Sequence, residues 1–203
     1  MLKKTSVFLA TLAVACLVAA SPASAATYKV DPAHSSVLFK IRHLVSKVTG
    51  RFGTFEGTVE IDPNNRDAVT VAGSIDAASI NTDNPKRDQH LRSQDFFDVD
   101  KFPQIIFKGG TLSDVNADKS KGVLNGNLTI HGVTRPVAVH VEWLGTVSDP
   151  MSKKNKAGFD ATTTINRKDF GIIWNKTLDT GGVMLGDDVD IELHVEMAEA
   201  TAG

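Results

Sequence analysis

Cysteine is almost absent from this chain. Its 203 residues include one cysteine, Cys16, which lies in an apolar N-terminal segment. A single thiol cannot form a disulfide within the chain, so the fold must be stabilised without one. Its stability must come from a packed core, and the chain is long enough to build one within a single domain.

The sequence also lacks any block of basic residues. It has 22 Lys and Arg against 24 Asp and Glu, which gives a net charge of −2. Proteins that bind nucleic acid usually present clustered basic residues, so this composition argues against a nucleic-acid partner. Beyond the N-terminal segment, no apolar run has the length expected of a membrane span.

Convincing catalytic motifs are missing too. Asp179-Thr180-Gly181 has the letters of an aspartic-protease triplet, but such enzymes need two carboxylates that share a proton. Only one triplet is present, so a homodimer would have to supply the second, and a glycine-rich turn is the simpler interpretation. The six histidines show no short helical spacing typical of a zinc motif. The sequence therefore predicts no catalytic residue, no metal site and no cofactor.

The first 25 residues have the pattern of a secretory signal peptide. Lys3 and Lys4 precede an apolar run at residues 7–20, and a small-x-small tripeptide ends at Ala25. We expect cleavage after Ala25 and removal of Cys16 with the signal. The predicted domain organisation is a signal peptide at residues 1–25 and one folded domain at residues 26–203.

The rest of the chain shows repeated alternation of apolar and polar residues. Residues 54–62, 137–144 and 189–197 each place their apolar side chains at every second position. This periodicity is typical of strands with one buried face, and turn residues such as His131-Gly132 separate them. The pattern predicts an all-β antiparallel meander. About eight such strands can close into a barrel that holds side chains or one small ligand.

One segment, residues 82–107, interrupts the alternation. Asn84 can cap a helix and Pro85 suits its first position, so we predict a helix over residues 82–97. Leu91, with Phe96 or Phe97, is expected to pack this helix against the barrel. Asp88 and Arg92 are four residues apart and are expected to pair on its exposed side.

Five segments in order resemble the YceI-like family of periplasmic polyisoprenoid-binding proteins. They are YKVDPAHSSVLFKIRH at 28–43, GRFGTFEGTVEID at 50–62, SINTDNPKRDQHLRSQDFFDVDKFPQIIFKG at 79–109, GNLTIHGVTRPV at 126–137 and INRKDFGI at 165–172. The resemblance covers nearly the whole chain after residue 25. It implies an extended eight-stranded, lipocalin-like antiparallel barrel with one inserted helix. It also implies a periplasmic location and a long apolar channel that holds an isoprenoid or similar lipid, with an isoprenoid quinone as one candidate.

The alternation and this resemblance together give a set of candidate ligand-binding residues. Gly57 and Gly73 fall on inward positions. Each taken singly more often marks a bulge or a bend of a barrel strand, but together with the aromatic residues they allow a cavity inside. The predicted apolar lining is Phe39, Ile41, Phe55, Val59, Phe107, Val139, Val141, Trp143, Leu193 and Val195. His34 and Arg167 are candidates for polar contact with a ligand head group or for clamping the end of the barrel, and the structural role is favoured because buried polar groups usually satisfy the backbone.

Three function classes follow from these features. The first is a non-catalytic binding or carrier protein for a long-chain isoprenoid lipid. The second is a hydrolase acting on a lipid or peptide, and the third is a structural barrel with a filled core. The sequence leaves open transient contact with a membrane and formation of a homodimer.

Overall fold

The computed structural model describes residues 26–62, 65–179 and 181–200, including the backbone alone of residues 62 and 65–68. The predicted signal peptide, Cys16 and the cleavage position lie outside the described residues. The strands are β1 (Ala26–Val30), β2 (Ser36–His43), β3 (Ser46–Phe52), β4 (Phe55–Asp62), β5 (Asn65–Asp76), β6 (Ile80–Asn81), β7 (Gln104–Ser113), β8 (Lys121–Ile130), β9 (Val133–Ser148), β10 (Asn155–Asn166) and β11 (Leu185–Glu199). One α-helix, α1 (Pro85–Arg92), lies between β6 and β7.

Eight of these strands close into an antiparallel barrel. Their order around the barrel is β1-β4-β5-β7-β8-β9-β10-β11, and β11 pairs back onto β1. The predicted eight-stranded antiparallel barrel is therefore confirmed. A two-residue turn joins β8 to β9, and both of its residues, His131 and Gly132, have positive φ. This is the turn geometry that matches the twist of two antiparallel strands.

Three further strands extend the barrel wall at one end. Residues 197–199 of β11 pair with β1, whereas residues 185–194 of the same strand pair with β2. A 3-10 turn, Pro32–His34, separates β1 from β2. β3 then pairs with β2, and the short β6 pairs with β3. The wall on this side therefore continues beyond β1 and ends beside helix α1.

Helix α1 begins as predicted but is shorter than expected. The Asn84 side chain accepts a hydrogen bond from the Arg87 amide at 3.2 Å, and Pro85 takes the first helical position. The helix ends at Arg92, because the Ser93 hydroxyl and amide both bond to the His90 carbonyl. The prediction of helix as far as residue 97 is therefore wrong.

The predicted pair between Asp88 and Arg92 is also wrong. Asp88 is buried and accepts hydrogen bonds from the amide and hydroxyl of Thr82. Arg92 donates to the carbonyls of Ala78 and Ile80, both at 2.7 Å. Helix α1 packs on the backbone of residues 78–82, whose polar groups need partners once they are covered. Both side chains therefore face the protein rather than each other.

Among the described residues, the largest cluster of buried apolar side chains lies where α1 meets the barrel. Ile80 and Phe170 are almost fully buried there. Phe96 belongs to the same cluster, and Leu91 and Phe97 pack against it, as predicted for this segment. Within the described residues, no helix has the length and apolar character needed to cross a membrane.

Candidate ligand-binding cavity

A large cavity runs through the inside of the barrel. Its volume is about 1090 Å³, and it is bordered by residues from the strands of the barrel, from α1 and from the loop before β8. On β11, the inward residues Val189, Ile191, Leu193 and Val195 remain only partly buried because they border this space. The barrel is therefore not filled by its own side chains, and the hypothesis of a filled core is wrong.

All ten apolar residues predicted as lining border the cavity. The register explains this, because directly paired residues share a face: Val59 pairs with Val71, and Phe159 pairs with both Trp143 and Val195. Trp143 lies at a rim and is about one-third exposed. The residues are Phe39, Ile41, Phe55, Val59, Phe107, Val139, Val141, Trp143, Leu193 and Val195. Their contact with a ligand remains a prediction.

The two inward glycines that the sequence singled out are not equivalent. A methyl group built on Gly57 would come within 3.0 Å of the Val30 side chain. At Gly73 the nearest atom is the Glu56 carbonyl oxygen at 3.8 Å, and no side chain is in reach. Gly73 therefore opens onto the cavity, whereas the space over Gly57 is already occupied in part.

Polar side chains border the cavity where α1 covers it. Thr82, Arg87 and His90 all lie there. Arg87 donates from Nε to the Thr82 hydroxyl and from Nη2 to the Thr82 carbonyl, both at 2.7 Å. His90 contacts Asp95 through Nε2 at 2.8 Å, and its ring packs edge-on against Phe96 and Trp174. These bonds hold the polar groups in place at this end.

Arg167 acts as a clamp on the backbone at the same end. It is 4% exposed, and its guanidinium donates to the carbonyls of Gly186, Ile172 and Trp174 at 2.7–2.9 Å. It also bonds to Asp187, whose pKa is lowered chiefly by the hydrogen bond from Lys168 and further by the nearby Arg167. The arrangement favours the structural alternative for Arg167.

His34 lies outside the cavity, on the outer surface. Its Nδ1 is 2.9 Å from Asp31 and 3.8 Å from Glu196. Lys156 also bonds to both carboxylates, so a cationic group already sits between them. The hydrogen bond to His34 is the main cause of the lowered pKa of Asp31, and Glu196 is the main cause of the raised pKa of Lys156. This geometry does not place His34 near a head group inside the barrel.

The other end of the cavity is bordered by a polar turn before β8. Asp118, Lys119 and Ser120 line it together with Trp143. The Ser120 hydroxyl and amide both donate to Asp118, and these bonds lower the pKa of its carboxyl. Sequence reasoning missed this rim because polar turn residues are common at strand ends without bordering a cavity.

Asp179, from the Asp-Thr-Gly triplet, and His194 both lie away from the cavity. Asp179 is part of a turn in which the Leu178 amide donates to the Gly182 carbonyl. His194 has a raised pKa, chiefly through its hydrogen bond with Asp160, but it does not border the cavity. These positions give no support to a catalytic site within the barrel.

A closed antiparallel barrel around a long apolar cavity is lipocalin-like in architecture. This chain belongs to the YceI-like family, because the family model described as the YceI-like domain matches residues 28–197. The UPF0312 protein SAS2572 of Staphylococcus aureus strain MSSA476 is 43% identical over 172 residues, which cover 84% of this chain and 96% of that protein.

Solved structures share the same fold. BcnA of Burkholderia cenocepacia is similar with a TM-score of 0.70 and 25% identity, over 82% of this chain and 98% of that chain. A polyisoprenoid binding domain from Saccharophagus degradans is similar with a TM-score of 0.62 over 85% of this chain and 98% of that chain. At 14% identity, the second likeness shows the fold alone.

Proposed function

We propose that this protein is a non-catalytic binding or carrier protein for one long-chain isoprenoid lipid. The observation that carries the proposal is the cavity of about 1090 Å³, whose wall is apolar along most of its length. Each methylene group moved from water into such a space contributes about 0.8 kcal/mol. A long chain therefore binds tightly with few polar contacts.

The cavity size agrees with a long chain. At about 1090 Å³ the cavity lies at the top of the range of roughly 300–1,000 Å³ that is typical of small-molecule sites. The Saccharophagus domain of the same fold is a polyisoprenoid-binding domain. Both points support an isoprenoid alcohol, its phosphate or an isoprenoid quinone as the ligand class.

The test is binding of a fluorescent polyprenyl probe to delipidated protein. Gly73→Trp should lower affinity by at least about tenfold, because the indole would fill space that the chain needs. Thr70→Trp is the matched control, since Thr70 lies on the same strand but does not border the cavity. Equal affinity of the two folded variants would contradict the proposal, as would absence of binding to the wild type.

The same experiment separates a carrier from a hydrolase. A carrier returns the probe unchanged after prolonged incubation, and mass spectrometry of the extracted lipid would show one intact species. Native mass spectrometry of protein purified from its own cell envelope would identify the lipid that it carries. Release of a cleaved product by the wild type would instead favour the hydrolase alternative.

We further propose that the protein is exported to the periplasm and that residues 1–25 are removed. The support is the pattern of Lys3, Lys4, the apolar run and the small residues before Ala26. N-terminal sequencing of the exported form should begin at Ala26. Retention of Cys16 with an attached lipid would contradict this and indicate a lipid-anchored protein.

A further inference from the structure

Two phenylalanine rings inside the cavity lie directly over glycines of the barrel wall. A methyl group built on Gly109 would be 2.8 and 2.9 Å from two ring atoms of Phe107. One built on Gly126 would be 2.5 and 2.8 Å from the same ring. Gly109 and Gly126 are directly paired across β7 and β8, so together they form a shallow recess in the wall. The Phe107 ring occupies that recess.

The same arrangement occurs nearer α1. A methyl group built on Gly50 would overlap the ring of Phe39, which is the residue paired with Gly50 across β2 and β3. The Thr82 methyl group also lies over this glycine, at 2.8 Å from the same point. Two of the aromatic residues that border the cavity therefore lie against bare backbone.

The position of these rings sets the width of the cavity. A strand side chain normally stands away from the sheet and leans along the strand, as Phe107 leans towards Gly109. Any side chain at Gly109 would push the ring off the wall, and the space available to it is the cavity itself. The glycines therefore let the two rings lie against the wall and leave the cavity beside them wider.

We propose that the glycines beneath Phe107 and Phe39 determine ligand specificity by admitting a chain with methyl branches. The proposal rests on the lipid-binding function above and adds the cross-section of the chain to it. An isoprenoid carries a methyl group on every fourth backbone carbon, so it needs a wider passage than an unbranched alkyl chain. A ring displaced from its recess narrows the passage and penalises the branched chain more.

Gly109→Ala is the most informative variant. Its closest contacts would be with the Phe107 ring, whereas the nearest backbone atom, the Asn125 oxygen, is 3.3 Å away. Alanine at Gly126 would instead come within 2.7 Å of the Lys108 carbonyl and strain the backbone. Gly109→Ala should weaken binding of a polyprenol about tenfold, and binding of an unbranched alcohol with the same number of carbons less than about threefold.

Two further variants serve as controls. Gly110→Ala makes the same chemical change at the next residue. Gly110 does not border the cavity, and the new methyl group would be 3.4 Å from its nearest neighbouring atom. It should keep the wild-type preference for the branched chain. Adding Phe107→Leu to Gly109→Ala removes the displaced ring and should restore that preference. If Gly109→Ala does not fold, Gly50→Ala tests the Phe39 ring, with the Thr82 methyl group as a second contact.

The outcomes distinguish this proposal from the function on which it rests. Wild-type protein that binds neither alcohol would overturn the lipid-binding function and the specificity proposal with it. A second outcome would overturn only the specificity proposal. In it, the wild type binds the polyprenol, but Gly109→Ala either weakens binding of both alcohols equally or weakens binding of neither. Selective loss of the branched chain, with recovery in the double variant, would support it.

Discussion

At the scale of single residues, buried polar side chains in this protein serve the backbone. Arg167 shows this best, because its guanidinium bonds to three carbonyls and one carboxylate at the end of the barrel. His34, the other polar candidate, lies outside and contacts Asp31. Sequence position alone placed both at strand ends but could not show which way either side chain points.

Replacing Arg167 should therefore cost stability rather than specific ligand contacts. Arg167→Ala leaves the carbonyls of Gly186 and Ile172 buried without that donor, which should lower the free energy of unfolding by about 3 kcal/mol or more. Lys168→Ala is the matched control, because Lys168 also pairs with Asp187 but is exposed, so its loss should cost less than about 1 kcal/mol. Urea unfolding measures both. Loss of lipid binding by Arg167→Ala without loss of stability would indicate a head-group contact instead.

At the scale of elements, most of the strands could be predicted and the position of the helix only in part. Strict alternation located β4, β9 and β11, because successive side chains of a half-buried strand point in turn to the core and to the solvent. The start of α1 was readable from Asn84 and Pro85, since capping is local chemistry. Its end and the partners of Asp88 were not, because they depend on the backbone of residues 78–82, which only the fold brings close.

The docking of α1 depends on Asp88, and this can be measured. Asp88→Ala removes the acceptor for the Thr82 amide and hydroxyl in a buried position, so unfolding should become easier by about 1–3 kcal/mol. Asp95→Ala, in the loop after the same helix, removes only a half-exposed contact with His90 and should change stability by under about 1 kcal/mol. If the two variants shifted the denaturant midpoint equally, the buried anchoring role of Asp88 would be contradicted.

At the scale of the whole molecule, the alternation predicted the apolar face, whereas the cavity that it surrounds was predicted only from the family resemblance. Period-two patterning tells which residues of β9 and β11 face inward, because the opposite choice would expose a large apolar surface. Whether inward side chains meet in the middle depends on barrel size and on where rings such as Phe107 lie. Gly109 and Gly126 leave room for the Phe107 ring only because they are paired across two strands. No pattern along the sequence predicts that pairing.

A barrel built around an apolar cavity should gain stability from its ligand. A ligand that binds only the folded state at 100 times its dissociation constant adds about 2.7 kcal/mol to the free energy of unfolding. For a domain of this size, that corresponds to a rise in Tm of roughly 5–10 °C, increasing steadily with lipid concentration.

Thermal unfolding of delipidated protein with increasing polyprenol should show this rise in the wild type and in Thr70→Trp. Gly73→Trp should show at most about half of that rise, because a tenfold weaker affinity leaves about 1.4 kcal/mol of stabilisation at the same lipid concentration. An equal rise in Gly73→Trp would mean that the lipid stabilises the protein from outside the barrel.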